Sequence, residues 1–410
     1  FVSYREVPGY VRGIEETIDH LAGLYDEGRA VEVVELAEYA LAAAEGALEH
    51  IDDSDGQMGD VIGRLEELHL DACRRAGADP VALAQRLFKR ELKGDWGVFD
   101  CAVVRYADVL GDAGLARYRA LAEERWAKVP RLAPGEESRS YSGSRFQITR
   151  IMEALAELSG SLADQIAVHE RDLASGYSFV RIAGLCRSHG DDDLALEWAT
   201  RGIAAFPDPP DPRLRSFLIE EYRRRGRSAD ALEHSLAAFA ARPDIETYRE
   251  IATDAQALGQ WTERREAALA LLRNPEAGPA AANAWLGRRG HTELVRVPLW
   301  EGDAEAAWQA ANDGGCTPGL WLELADRRRD EHPEDALCVY RKHVEDTIDR
   351  KDTRAYESAV RLIDDTIRAL FAECGRPDDF AGYVAEVRAS HKPKRNLMKL
   401  MGEITTGKTT

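Results

Sequence analysis

The sequence predicts an all-α fold of stacked helical hairpins, a tetratricopeptide-like superhelix or α-solenoid. Three observations carry this. A Gly-centred turn followed by acidic residues, an Ala-faced helix and a closing Pro occurs three times: Gly190 to Pro207, Gly226 to Pro243 and Gly259 to Pro275, spans of 17, 17 and 16 residues. Val/Ile/Thr-rich alternating runs, the mark of strands, are missing, while 31% of the residues are charged. Small and bulky apolar residues recur at helical spacing in segments too short to bury such a stripe alone, so neighbours must stack.

The elements follow in order. Residues from Val11 to Ala47 read as two helical segments turned at Asp26-Glu27-Gly28-Arg29, with Val31, Val34, Ala37 or Glu38 and Leu41 on the core face. Asp52-Asp53-Ser54-Asp55-Gly56 is a turn that hands over to a helix through Leu65, Leu68 and Leu70. Asp79-Pro80 opens the next, since Pro fits a first helical turn. Another helix is expected to begin at Trp96-Gly97-Val98-Phe99, to break at Gly111 to Gly114 and to resume from Leu115 to Trp126. Pro130 to Ser144, rich in Pro, Gly and Ser, reads as a linker.

Phe146 to Leu158 is then helix. Tyr177 to Cys186 and Leu194 to Phe206 form the clearest hairpin, with Ala195, Ala199, Ile203 and Phe206 on one face. Looser hairpins cover Ala280 to Trp308 and the segment opened by Glu331-His332-Pro333. A final pair spans Tyr356 to Glu373 and Asp378 to Ala389, turned at Cys374 to Pro377. The expected organisation is 1–130 as an N-terminal helical region, 131–145 as linker, 146–391 as repeat array and 392–410 as a basic, disordered tail. That tail carries five cations against Glu403, a local charge of +4.

Charge and composition narrow the function. The chain of 410 residues has a formal charge of −19. Such a surface repels nucleic acid at long range, because phosphate neutralisation drives that affinity. No apolar run is long enough to span a membrane. Six scattered cysteines form no C-x-x-C pair and read as buried thiols of a reducing, cytoplasmic compartment. The opening Phe1-Val2-Ser3-Tyr4-Arg5 is neither a signal peptide nor a natural start, so a preceding domain is expected.

Candidate chemical motifs dissolve on inspection. Gly402-Glu-Ile-Thr-Thr-Gly407-Lys408-Thr409 fits a phosphate loop in letters, but that loop needs a strand before it and a helix after it. Asp52 to Gly56 places Ile51 and Ile62 where a calcium loop needs oxygen ligands, so a capping turn is the better reading. His69 and Cys73 share a helix face at zinc-ligand spacing, as Cys186 and His189 do more weakly, but two further ligands would have to converge. Adjacent carboxylates such as Asp364-Asp365 point in different directions along a helix. Trp198, Trp261, Trp285, Trp308 and Trp321 sit at core spacing. The residues singled out as partner contacts are the basic ones, Arg223, Arg224, Arg225, Lys392, Lys394 and Arg395, although Arg at a helix C-terminus also serves as a cap.

Two resemblances accompany these readings. The central block resembles tetratricopeptide repeats, on its Ala contacts and closing prolines. The wider chain is similar to the region after the zinc finger in actinobacterial SWIM zinc-finger proteins. That likeness rests on Phe1 to Arg5, Leu48 to Gly56, Leu68 to Cys73, Tyr106 to Gly111 with Gly114 to Tyr118, and Phe380 to Arg388 running into His391 to Leu397. The C-x-C…C-x-H finger is absent from these residues, so no zinc or other cofactor is expected in this chain. The resemblance implies a cytoplasmic bacterial helical module that binds a protein or peptide and catalyses nothing. A nucleic-acid-associated module, aided by the basic tail, is the alternative.

Overall fold

The computed structural model describes residues 6–94, 96–136, 143–207, 210–274, 286–402 and 404. Its contacts divide the chain into two compact units, Phe1–Phe217 and Leu218–Thr410, with the boundary inside a helix. Each unit is a stack of helical hairpins of the tetratricopeptide-like kind. The β structure among the described residues is confined to isolated bridge residues, Leu132 paired in parallel with Asp172, and Ile51.

In the first unit, α1 (Val7–Asp26) and α2 (Ala30–Leu48) meet at Gly28, whose φ of +86° suits only a residue without a side chain. The buried stripe of α2 runs Ala30, Val33, Val34, Ala37, Glu38, Leu41, Ala44. Val31, expected inside, is 62% exposed, because that stripe starts one residue earlier. Helix α3 (Gln57–Ala76) packs on both. The Asp53 carboxylate accepts from the Met58 N–H at 2.9 Å, so the acidic turn before α3 caps a helix, as expected.

Helix α4 (Pro80–Lys93) begins where Asp79 accepts from the N–H groups of Val81 and Ala82, at 2.8 and 3.1 Å. The helix expected from Trp96 is not there. Phe99 and Cys101 both have positive φ, 62° and 55°, which ends any helical run, and α5 (Ala102–Arg105) starts only after them. Helix α6 (Ala107–Trp126) breaks at Gly111 and resumes. Next come α7 (Gly143–Ser159) and α8 (Leu162–His169). Ile148 and Ile151 of α7 share one core with Leu41, Leu65, Leu83, Leu87, Leu110 and Tyr118. The start of the Pro/Gly segment is pinned to the turn after α8, where Leu132 and Arg171 or Leu173 exchange backbone bonds at 3.0 Å.

Helices α9 (Gly176–Ser188) and α10 (Asp192–Ala205) are the hairpin read most clearly from sequence. Gly190 turns it at φ +80°, and Asp191 caps α10 by accepting from Leu194 N–H at 3.1 Å. Ala195 and Ala199 are fully buried, as expected. The third small position is Gly202 rather than Ile203, which is half-buried. A Cβ on Gly202 would lie 2.7 Å from Cβ of Phe179 and from a Leu214 methyl, so the backbones approach too closely for any side chain. Leu214 belongs to α11 (Pro212–Arg224), the helix that carries the unit boundary.

The second unit continues with α12 (Ser228–Ala241), α13 (Ile245–Ala257), α14 (Trp261–Arg273), α15 (Leu286–Glu301) and α16 (Ala304–Gly314). It ends with α17 (Pro318–Arg328), α18 (Pro333–Ile348), α19 (Thr353–Arg361), a π-helical turn Leu362–Ile367, α20 (Arg368–Glu373), α21 (Asp379–Ser390) and α22 (Arg395–Met401). Pro275 and Trp285 lie outside the described residues, as do 403 and 405–409 of the phosphate-loop lookalike.

Helix α22 corrects the expectation of a disordered tail from residue 392. Leu397 and Met401 are fully buried in one cluster with Val344, Ile363, Ile367 and Val384. The stretch is short but amphipathic, and its basic residues mask that apolar pair in a charge count. No helix among the described residues is long and apolar enough to cross a membrane.

Candidate functional site

A buried polar network fills the centre of the first unit. Glu66, His69 and Cys73 stand at i, i+3 and i+7 on α3, so they share one face. The His69 ring lies 2.7 Å from the Tyr106 hydroxyl through Nδ1 and 3.4 Å from Glu38 through Nε2. The Tyr106 hydroxyl also lies 3.4 Å from the Glu66 carbonyl, so His69, Tyr106 and Glu66 share one chain of contacts. Arg86 and Arg90 of α4 close on Glu38 at 2.9 and 3.4 Å. Burial would raise the Glu38 pKa, but the hydrogen bonds from His69 and Arg86 win and hold it at about 2.

Two further carboxylates hold the turn that replaces the expected helix. Glu66 accepts from the Phe99 N–H at 2.6 Å and pairs with Arg105. Glu91 accepts from the Cys101 N–H at 2.9 Å and from the Tyr118 hydroxyl. A left-handed conformation costs a non-glycine residue about 1–2 kcal/mol. These buried acceptors offset that cost at Phe99 and Cys101. Sequence reading missed the network because Glu38, His69, Glu91 and Tyr106 come from four elements; only the His69–Cys73 spacing was visible.

Burial drives the Glu91 pKa up to about 7, against the lowering effect of the Tyr118 hydrogen bond. The folded value thus lies above the ordinary 4.5. Stability from this group is full below the unfolded pKa and is lost as pH rises through the folded one. Urea unfolding should therefore show stability falling between about pH 5 and 8, by on the order of 2–3 kcal/mol from this group. Glu91→Gln keeps an acceptor for Cys101 and removes the ionisation. It should match the parent near pH 5 and exceed it at pH 8; an unchanged pH profile would show that Glu91 is already ionised in the fold.

Burial holds Cys73, Cys186 and Cys316 as thiols. All six cysteines are free of disulfides. Burial pushes Cys73 up to about 12 and Cys186 and Cys316 up to about 11, so none supplies a thiolate near neutral pH. The expectation of buried thiols holds for Cys73 and Cys186 but not for Cys338, which is exposed. His69 and Cys73 do come together, with Cys73 Sγ 3.6 Å from Nε2, yet no group of three His, Cys, Asp or Glu among the described residues is set to hold a metal. His189 bonds the Leu185 carbonyl at 3.0 Å, as a helix cap.

The basic residues chosen from sequence are mostly engaged by their own unit. Arg223 forks onto Asp254 at 2.6 and 2.9 Å and reaches Glu250 at 2.5 Å. Arg224 and Arg225 both bind Glu221, which is fully buried, at 2.8 and 2.6 Å. Lys394 bonds Asp349 at 2.9 Å. Lys392 and Arg395 are exposed. Arg328, at the end of α17, is buried between Asp335 and Glu305 and lies over the Trp308 ring at 4.9 Å.

Openings on each unit supply the candidate contact surfaces. In the second unit a cleft of about 640 Å³ runs between α16, α17 and α18. Trp308 and Trp321 meet edge to face in its wall, ring centres 5.4 Å apart, instead of sinking into the core as Trp198 does. Lys342, His343, Asp335 and Asp346 supply its polar groups. In the first unit a smaller cavity of about 310 Å³ lies between the end of α6, α7, α8 and the start of α9.

A model of a family of unknown function, DUF6880, matches residues 2–175. No curated protein matches the chain. Among solved structures, the human IFIT1 dimer with PPP-AAAA is similar at 12% identity, over 98% of this chain and 95% of that one, with a TM-score of 0.27. That likeness is too weak to carry an argument, and the fold rests on the helices described above. Neither description mentions a zinc finger.

Proposed function

We propose that this chain is a non-catalytic protein-interaction scaffold, the helical module of a cytoplasmic bacterial SWIM-type protein, and that its partner is a protein or peptide. One observation carries the reading: the cleft between α16, α17 and α18 keeps a tryptophan pair in its wall, with a lysine, a histidine and two aspartates around it. An apolar slot with a few convergent polar groups suits a peptide side chain. The polar clusters elsewhere support the same reading. Glu38, Glu66, Glu221 and Asp254 are tied to arginines or backbone N–H groups, which makes them parts of the fold and leaves no paired acid and base facing solvent at those points. Nucleic acid is the weaker reading, because Arg223, Arg224, Arg225 and Lys394 are balanced by four carboxylates, Asp254, Glu250, Glu221 and Asp349, with no positive excess.

The test compares the chain with Lys342→Glu, an exposed change on the cleft rim. The parent should capture a protein partner from a related bacterial lysate and should not bind random duplex DNA at physiological salt. The variant should lose the partner and keep its melting temperature. Tight, steeply salt-dependent DNA binding with no partner captured would sink the scaffold reading.

A further inference from the structure

The first unit's cavity has an electrostatic character opposite to that of the chain. Arg145, Arg150, Arg171 and Arg181 line it with Glu153 and Asp172, Arg181 pairing with Glu153 at 2.9 Å and Arg145 with Asp172 at 3.3 Å, four guanidinium groups to two carboxylates. One step back, Arg131 adds a charge, while Asp100, which Arg150 grips with two of its three nitrogens, removes one. The excess of two positive charges stands, in a chain of formal charge −19. Arg171 donates to the carbonyls of Val129, Trp126 and Ala127, at 2.9, 2.8 and 3.4 Å, and carbonyls leave its net charge intact. Burial first, and then Arg131 and Arg145, push its pKa down. His169 is likewise held toward its neutral form by burial and by Arg181.

The other lining groups complete an anion cradle. The first turn of α9, a helix of 13 residues, presents Ser175, Tyr177 and Ser178 to the cavity, and the Ser175 side chain does not cap that helix. Phe146 and Tyr177 stand at the mouth, 53% and 48% exposed. A planar guanidinium fork matches a phosphate better than a lysine does, and a helix N-terminus adds aligned N–H groups.

We infer that the cavity between α6, α7, α8 and α9 is a binding site for a phosphotyrosine side chain of a peptide partner. This deepens the scaffold reading and rests on it. A phosphate monoester carries close to two negative charges at neutral pH, which matches the excess in the cavity. At about 310 Å³ the space is at the small end of ligand pockets, sufficient for one ring and its phosphate but not for an extended cofactor. The exposed rings of Phe146 and Tyr177 give an aryl phosphate apolar contact that a phosphoserine, with no ring, cannot use.

The experiment is an anisotropy titration of the full chain with a short fluorescein-labelled peptide holding one phosphotyrosine among glycines and serines. The unphosphorylated and phosphoserine peptides are run beside it, with adenosine monophosphate as competitor. The phosphotyrosine peptide should bind at least about tenfold more tightly than either twin. Arg181→Gln, a half-exposed position, should weaken it about tenfold with an unchanged melting temperature, and Arg150→Gln stands in if that variant melts early. Equal binding of the twins, an undiminished affinity in both arginine variants, or displacement by adenosine monophosphate at equal concentration would overturn the inference. If those failures come with a protein still captured through Lys342, the scaffold reading survives alone; if phosphotyrosine binds and no partner is captured, that reading has failed and the site remains as one for aryl phosphates.

Discussion

Asp254→Ala should destabilise the protein by about 3 kcal/mol or more in urea unfolding, the cost of leaving one partner of an inner ion pair alone. Asp254 is 2% exposed on α13 and takes both forks of Arg223 together with the Ser235 hydroxyl at 2.5 Å. Its removal strips the acceptor from three donors that converge among α11, α12 and α13. Arg223 also bonds Glu250, whose side chain is 44% exposed. Glu250→Ala should cost less than about 1 kcal/mol, because water replaces that contact. One arginine thus supplies its own control. Equal effects of the two substitutions would mean that Asp254 is hydrated and that the α11–α13 packing is looser than described.

Ala195→Trp should be at least as damaging, at about 3 kcal/mol or beyond and with loss of cooperative unfolding. Ala195 is fully buried at the α9–α10 contact, beside Ala199 and Gly202. Gly202 lies within 2.7 Å of its neighbours' carbon atoms if given a Cβ, so this seam has no slack to yield to an indole. Gly202→Ala tests the same seam with a single methyl. An unchanged melting temperature for Ala195→Trp would show that α10 faces the other way.

The seam was legible in the sequence because it is local. Gly190, Asp191, the alanines and Pro207 sit within one hairpin, and turn, cap and period agree there. The same held at Asp79-Pro80, where Asp79 accepts from the Val81 N–H at 2.8 Å. What stayed hidden was whatever depends on elements far apart in the chain. His69 finds Tyr106 across 37 residues and Arg86 finds Glu38 across 48. A basic triplet such as Arg223 to Arg225 looks the same in sequence whether it faces solvent or a buried Glu221. The turn at Phe99 and Cys101 was unreadable for a different reason: non-glycine residues carry no local mark of a left-handed backbone, and the carboxylates that hold them come from α3 and α4. The arginine cavity draws on α6, α7, α8, α9 and the turn between the last two, and leaves no motif at all.

The pairing of each helix with its neighbour in sequence has a consequence for how the chain is made. Contacts between successive helices close short loops, and short closures cost little entropy and are made quickly. A chain emerging from the ribosome can bury the stripe of α9 as soon as α10 is out, without waiting for anything downstream. The π-turn after α19 is the opposite case. Ile363 and Ile367 share their cluster with Leu397 and Met401 of α22, so that part of the second unit cannot close until α22 has been synthesised.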